Sequence, residues 1–389
     1  MKTRYLFLMM MAGAVIASAA DKVTNGSENV ASAADKVTNG SENVASAADK
    51  IERAAVGKIE DTSMDGATVK AKARYLWPDD YMADPAAHVF NGKIYIYPSH
   101  DWDSPVTDGT DGNHFDMRDY HVLSIDGDPM TGKVTDHGCV MSLEQVPWAE
   151  RQLWATDCVE RDGIYYLYFT ARAKDGLFKI GVATATAPEG PFTPQAEPIA
   201  GTYSIDPAVF NHDGNFYIYF GGLGGGQLQN YPDNEFIADR DRPAKGETAM
   251  MPRVARLSDD MLSLAEAPRP LEIVDAEGQP LAEGNPHRFY EASWMHENDG
   301  RLYFSYSTGD SHLLCYAIGD SPYGPFTYTG EIMTPVKGWT THHSIVNHDG
   351  DWWIFYHDSA NSGKSRLRST KVSPLTHRPD GTIVTIAGQ

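Results

Sequence analysis

Residues 82–97 read MADPAAHVFNGKIYIY, and residues 204–222 read SIDPAVFNHDGNFYIYFGG. Both pass from Asp-Pro-Ala through a short apolar stretch to an Asn-Gly or Asp-Gly pair, then alternate aromatic and aliphatic residues. Such a pair before a β-rich run is the strongest short-range hairpin signal, because both residues of the tight turn need positive φ. Three further copies follow the same plan: LWATDCVERDGIYYLYF at 153–169, FYEASWMHENDGRLYFSYS at 289–307 and THHSIVNHDGDWWIFYHD at 341–358. The turn glycines Gly92, Gly163, Gly214, Gly300 and Gly350 are 71, 51, 86 and 50 residues apart. IGVATATAPEGPF and CYAIGDSPYGPF, which follow the second and fourth hairpins, share the ending Pro-x-Gly-Pro-Phe and form a second echo. A recurring unit of this size with strand patterns and no helical period is a propeller blade. Residues 73–389 give about 63 residues per copy, room for four strands and their loops. The chain reads as an all-β, five-bladed β-propeller.

The repeat also locates a site. In a propeller the first strand of each blade lines the central axis, so equivalent positions converge there. Asp84 and Asp206 stand eight residues before their turn glycines, His342 eight before Gly350, and Glu291 nine before Gly300. The second copy has Ala155 there, with Trp154 and Asp157 beside it. Three acids and an imidazole thus occupy positions where a structural strand carries Val, Ile or Ala. Buried carboxylates are costly unless something pairs or uses them; the alternative is that they cap turns or solvate a channel. No Ser-His or Cys-His pattern, Gly-rich phosphate loop or zinc spacing accompanies them. Acids around a pocket then point to glycoside hydrolysis: one carboxylate activates water, a second protonates the leaving oxygen, and a third can tune the second. The aromatic content, 11% of residues, suits stacking on sugar faces.

The 389 residues carry 53 acidic and 32 basic side chains, a formal charge of −21. That excess speaks against nucleic acid and against anionic membrane surfaces. Cys139, Cys158 and Cys315 include no CxxC pair and allow at most one disulfide. Residues 1–20, MKTRYLFLMMMAGAVIASAA, have the basic start, apolar stretch and small-residue cleavage pattern of a secretory signal, and no cysteine follows to carry a lipid. SAADKVTNGSENVA then occurs twice, at 18–31 and 32–45. Residues 21–72 read as a disordered linker and 73–389 as the catalytic propeller, with no membrane attachment expected after cleavage and a secreted or periplasmic location.

The region 73–389 resembles glycoside hydrolase family 43, and the five quoted segments carry the resemblance in order and spacing. The resemblance implies an inverting mechanism with Asp84 as general base, Glu291 as general acid and Asp206 raising the pKa of that acid and holding it. His342 matches an axial histidine that in many members ligates a central Ca²⁺ otherwise surrounded by water. One nitrogen is a poor calcium cage, and a hydrogen-bonded channel histidine is the alternative; strand alternation points His343 the other way. Arg368, in SRLRSTKV, matches an arginine that reaches the site from the last blade, the alternative being a surface charge. Trp102, in SHDWD, and Trp154 are candidates for sugar stacking or for packing, and His100 and Asp101 for the pocket rim. Trp352, Trp353, Phe355 and Tyr356 read as core. The chain departs from the family at Ala155-Thr156-Asp157, where a proline is frequent, and in the YEAS context of Glu291.

The implied activity is removal of arabinofuranosyl or xylosyl residues from arabinoxylan or its oligosaccharides, with a plant-polysaccharide or oligosaccharide substrate and no organic cofactor. An endo-arabinanase would need an open cleft, against which the long insertion between Gly222 and Pro286 offers a wall. A non-catalytic sugar-binding propeller would have lost an acid. A retaining fructan-active enzyme would carry Asn-Asp-Pro-Asn where this chain has Ala83-Asp84-Pro85-Ala86.

Overall fold

All five Gly turns close as two-residue hairpins with positive φ at both positions: Asn91 and Gly92 (53° and 76°), Asp162 and Gly163 (54° and 79°), Asp213 and Gly214 (51° and 79°), Asp299 and Gly300 (49° and 72°), Asp349 and Gly350 (55° and 91°). The flanking pairs Phe90↔Lys93, Arg161↔Ile164, His212↔Asn215, Asn298↔Arg301 and His348↔Asp351 are in register. The computed structural model describes residues 68–388 apart from 110 and 340. The expected signal segment and the duplicated repeat lie outside the described residues.

Each turn joins the inner strand of a blade to its second strand. The inner strands are Met82–Phe90, Thr156–Arg161, Ala208–His212, Glu291–Asn298 and His343–His348. Two further antiparallel strands extend each of the first four blades, and Ala149–Arg151 in the second and the parallel Ile273–Val274 in the fourth add a fifth, giving five sheets of four or five strands. Among the described residues there is no α-helix, only three short 3₁₀ turns. The fifth blade is completed from the other end of the domain: Arg74–Tyr75 pairs antiparallel with Ser369–Leu375, in register Arg74↔Val372 and Tyr75↔Lys371. Buried Asp358 anchors this closure, accepting from the Tyr75 hydroxyl at 2.9 Å and from Lys371 Nζ at 2.9 Å. Trp353, Phe355 and Tyr356 are buried as expected, and Trp352 is partly so.

Neighbouring inner strands are tied to one another around the axis by side-chain bonds. His88 of the first blade meets Asp157 of the second at 2.5 Å, and the other Asp157 oxygen accepts from the Val209 amide of the third at 2.6 Å. Asp206 takes the Ala292 amide of the fourth at 3.0 Å; Trp294 donates to the Ile345 carbonyl of the fifth at 3.1 Å; and the Ala87 amide of the first donates to Ser344 Oγ at 2.9 Å. The acid of the second copy, Asp157, therefore ties the second blade to its two neighbours. Its buried carboxylate satisfies backbone donors that a β-edge facing the axis would otherwise leave unpaired.

Candidate active site

The inner strands deliver the candidate residues at their N-terminal ends, where the backbone is bent out of ordinary β geometry. Asp84, Asp206 and Ala292, the residue after Glu291, have φ of 49°, 61° and 65°. Register shifts between Ala83 and Ala86 and between Glu291 and Trp294 mark bulges that re-aim these side chains. Non-glycine residues with positive φ carry strain that persists only where surrounding contacts hold it, and such positions gather at functional sites.

Asp84 is 6% exposed. Its Oδ1 accepts from Arg368 Nη1 at 2.8 Å, its Oδ2 accepts from Ser99 Oγ at 2.5 Å, and its amide donates to His357 Nδ1 at 3.0 Å. Burial alone would raise the carboxyl pKa; the Arg368 charge, helped by His342, overrides it and holds Asp84 well below the usual carboxylate range. Arg368 is itself gripped by buried Asp101, which accepts from Nε at 2.9 Å, Nη2 at 2.7 Å and the Arg368 amide at 2.8 Å. The guanidinium lies over Phe115, 4.8 Å from the ring centroid. Arg368 thus reaches the site and is not a surface charge.

Asp206 is shut away from water, its Oδ2 on the Ala292 amide and its own amide on Thr170 Oγ1 at 3.1 Å. Burial pushes its carboxyl up to about 6, against the pull of His342 and with the push of Asp84. The bond to Ala292 fixes the backbone one residue beyond Glu291. His342 Nδ1 lies 3.6 Å from Asp84 Oδ1. Burial would lower the His342 pKa, but the charges of Asp206, Asp84 and Glu291 together raise it. His343 points away and is buried with Nε2 2.7 Å from Ser305 Oγ.

Glu291 is half-buried and opens the inner strand of the fourth blade. The segment between the second and third strands of the third blade, Asn215–Phe220 and Arg253–Arg256, runs directly against it. A Cβ at Gly222 would stand 3.3 Å from Glu291 Cβ and 2.5 Å from Ile205 Cδ1, so only glycine fits. The next amide, Leu223, donates to the Tyr290 carbonyl at 3.0 Å. At Gly225 a Cβ would come within 3.1 Å of the Asp111 backbone, bringing this segment against the long first-blade loop. The loop is tied in turn to the fifth blade by Lys364–Asp103 at 2.7 Å and by Arg366 to Asp103 at 3.1 Å and to Asp108 at 3.2 Å.

The family profile of Glycosyl hydrolases family 43 matches residues 134–383, a span that holds Asp206, Glu291, His342 and Arg368. A xylosidase/arabinosidase of Bacteroides ovatus is 56% identical over 324 residues, covering 82% of this chain and 99% of that protein. The chain is a family 43 glycosyl hydrolase. A β-xylosidase of Xylanibacter ruminicola is also 56% identical, over 81% of this chain and 99% of its own length. Among solved structures, a β-xylosidase/α-arabinofuranosidase from a compost microbial metagenome, in complex with xylotriose and in calcium-free form, superposes with a TM-score of 0.79 at 52% identity, covering 82% of this chain and 99% of that one. A Xanthomonas citri enzyme complexed with xylotriose does so at 0.77 and 51%, covering 82% and 93%.

In this hydrolase the two candidate tryptophans have partners of their own. Trp102 is 41% exposed, donates from Nε1 to Asp119 at 3.0 Å and lies under Arg118; it shares Asp119 with His100, whereas Asp101 between them turns to Arg368. Trp154 is buried behind the clamp, 4.4 Å from the Phe178 ring, with Nε1 on the Phe115 carbonyl at 3.1 Å. Its contacts are those of packing. Ser99, His357, Thr170 and Phe115 serve the site without having stood out in the sequence. Ser99 and His357 lie inside hairpin strands already singled out, but nothing in their spacing marks Asp84 as their partner.

Proposed function

We propose that this hydrolase removes terminal xylosyl or arabinofuranosyl residues from arabinoxylan-derived oligosaccharides with inversion at the anomeric carbon. The observation that carries the reading is the opposed tuning of neighbouring carboxylates: Asp84 is held ionised by Arg368, while buried Asp206 is pushed up to about 6 beside the backbone of Glu291. Environments that separate carboxyl pKa values separate roles: ionised Asp84 can serve as base, and Asp206 as the modulator of the acid Glu291. Asp84 keeps a lone pair on each oxygen beyond its bonds to Arg368 and Ser99, enough to take a proton from an incoming water. The water oxygen then bonds to the anomeric carbon from one face as the glycosidic bond breaks on the other. Glu291 gives its proton to the departing oxygen, and the proton on Asp84 returns to solvent as Glu291 reloads. Asp206 positions Glu291 through Ala292, and its charge when ionised favours the protonated acid.

Xylosyl and arabinofuranosyl specificity is drawn from the relatives, named as β-xylosidase or xylosidase/arabinosidase over nearly their whole length. The abutting loops around Glu291 support a closed pocket and exo action over an endo-arabinanase cleft. For calcium, His342 offers one buried nitrogen, and its Asp84 neighbour is engaged by Arg368. Calcium takes six to eight oxygens, so these residues fit it only as a hydrated ion, held by His342 and, through water, by the charge of Asp84, Asp206 and Glu291. Such an ion would add positive charge at the axis. The secretory character of residues 1–20 supports export. A panel of nitrophenyl β-xyloside, nitrophenyl α-arabinofuranoside, arabinoxylan oligosaccharides and linear arabinan tests the reading. Release of single pentoses supports it, and release of internal arabinan fragments overturns it.

A further inference from the structure

Away from the axis, the first blade holds a second constellation that the hydrolytic site does not use. His100 lies on the strand Lys93–Trp102; Asp119 and His121 lie on the neighbouring strand Asp116–Asp126, two residues apart and therefore on one face. One ligand atom from each of the three lies within 4.8 Å of the others. We propose that His100, Asp119 and His121 bind a divalent transition-metal cation of the zinc or cobalt type, which steadies the strand end that carries Asp101.

The second contacts of the rings support this assignment. His100 turns Nδ1 to Asp119 at 2.8 Å and Nε2 to Asp80 at 3.2 Å. His121 turns Nε2 towards Asp119 at 3.8 Å and Nδ1 to both oxygens of Asp136 at 3.0 Å. Each imidazole thus has one nitrogen in the cluster and the other on an outer carboxylate, the arrangement that fixes tautomer and ring orientation in metal-ligating histidines. Asp136 is itself anchored by the Gly138 amide at 2.9 Å. Two imidazoles and one carboxylate suit zinc and its neighbours rather than calcium, and leave a fourth position for water. The side chains are 11–15% exposed, so a cation and that water have access. Charge is also conserved: Asp80, Asp119 and Asp136 bring three negative charges, and one divalent cation offsets them as fully as protons on both rings would. Asp101, which grips Arg368 on Asp84, follows His100 directly, and Trp102 donates to Asp119, so a cation here would pin the base of that clamp.

The test is titration of the metal-stripped, purified enzyme with Co²⁺, read by its visible absorption and by displacement with Zn²⁺. One equivalent with four-coordinate bands is expected for the wild type and for His342→Ala. Binding should be lost in His121→Ala and weakened about ten- to hundredfold in Asp136→Asn, which removes only the outer carboxylate. Should His121→Ala fail to fold, Asp136→Asn decides alone, and unchanged affinity there overturns the proposal. It is overturned equally if the wild type takes up no Co²⁺, or if uptake survives His121→Ala and disappears in His342→Ala.

Discussion

Arg368 touches Asp84 through a single Nη1–Oδ1 bond of 2.8 Å, while Asp101 engages the rest of the guanidinium. The arginine is thus a fixed strut between a buried anchor and the proposed base. Arg368→Ala should lower kcat/KM by about a hundredfold or more, a misplacement effect on a reacting group. Lysine, a point charge that cannot make both contacts, should restore little. Without the Arg368 charge, the burial of Asp84 would dominate and its pKa would rise. The acidic limb of the kcat/KM profile should therefore move to higher pH. An unmoved limb would show that Arg368 does not set the ionisation of the base.

Asp101 acts on the reaction only through Arg368. Asp101→Asn should reduce kcat more than it changes KM. Combined with Arg368→Ala it should add almost nothing, because the two side chains form one unit. Full additivity in the double-mutant cycle would contradict the clamp.

Asp206 makes stability depend on pH with a defined sign. Its folded pKa of about 6 lies above the ordinary carboxylate value, so the folded state binds this proton more tightly than the unfolded one. The resulting stabilisation is full below about pH 4 and is lost as pH rises through about 6, a swing of up to about 3 kcal/mol. Asp206→Asn removes that dependence, and its melting temperature relative to wild type should climb between these pH values while activity falls. Parallel melting curves across the range would refute the burial account.

Much of the fold could be read before the structure because five Asn-Gly or Asp-Gly pairs readily take the positive φ that a tight hairpin turn requires, a signal carried by neighbouring residues alone. The candidate acids stood out for the same reason: the turn sets a count, eight residues back to Asp84, Asp206 and His342 and nine to Glu291. What joins these residues was not legible. Asp101 and Arg368 are 267 positions apart, and only the closed ring makes them neighbours. Trp154 looked available to a sugar, but its burial depends on Phe115 and Phe178, which belong to different blades. Asp157 carries the same charge as the site acids, yet it links neighbouring blades, because the Val209 amide and His88 claim its two oxygens.

Ring closure rests on Asp358. Asp358→Ala deprives the Lys371 ammonium and the Tyr75 hydroxyl of a buried carboxylate, a loss of about 3–5 kcal/mol for a broken buried ion pair. Thermal unfolding should shift downwards by several degrees, with native-state activity at low temperature retained. An unchanged melting temperature would mean that the strand Arg74–Tyr75 does not close the propeller in solution.

Central to the account is displacement by water activated at Asp84 and a proton given by Glu291. Glu291→Ala should abolish hydrolysis of xylo-oligosaccharides yet spare nitrophenyl substrates, whose leaving group needs little protonation. The most direct measurement is proton NMR of the sugar first released by the wild type from a β-xyloside, recorded before mutarotation. The α-anomer of xylose, appearing first and then relaxing to the equilibrium mixture, is the predicted result; the β-anomer appearing first would contradict inversion and the pairing of Asp84 with Glu291.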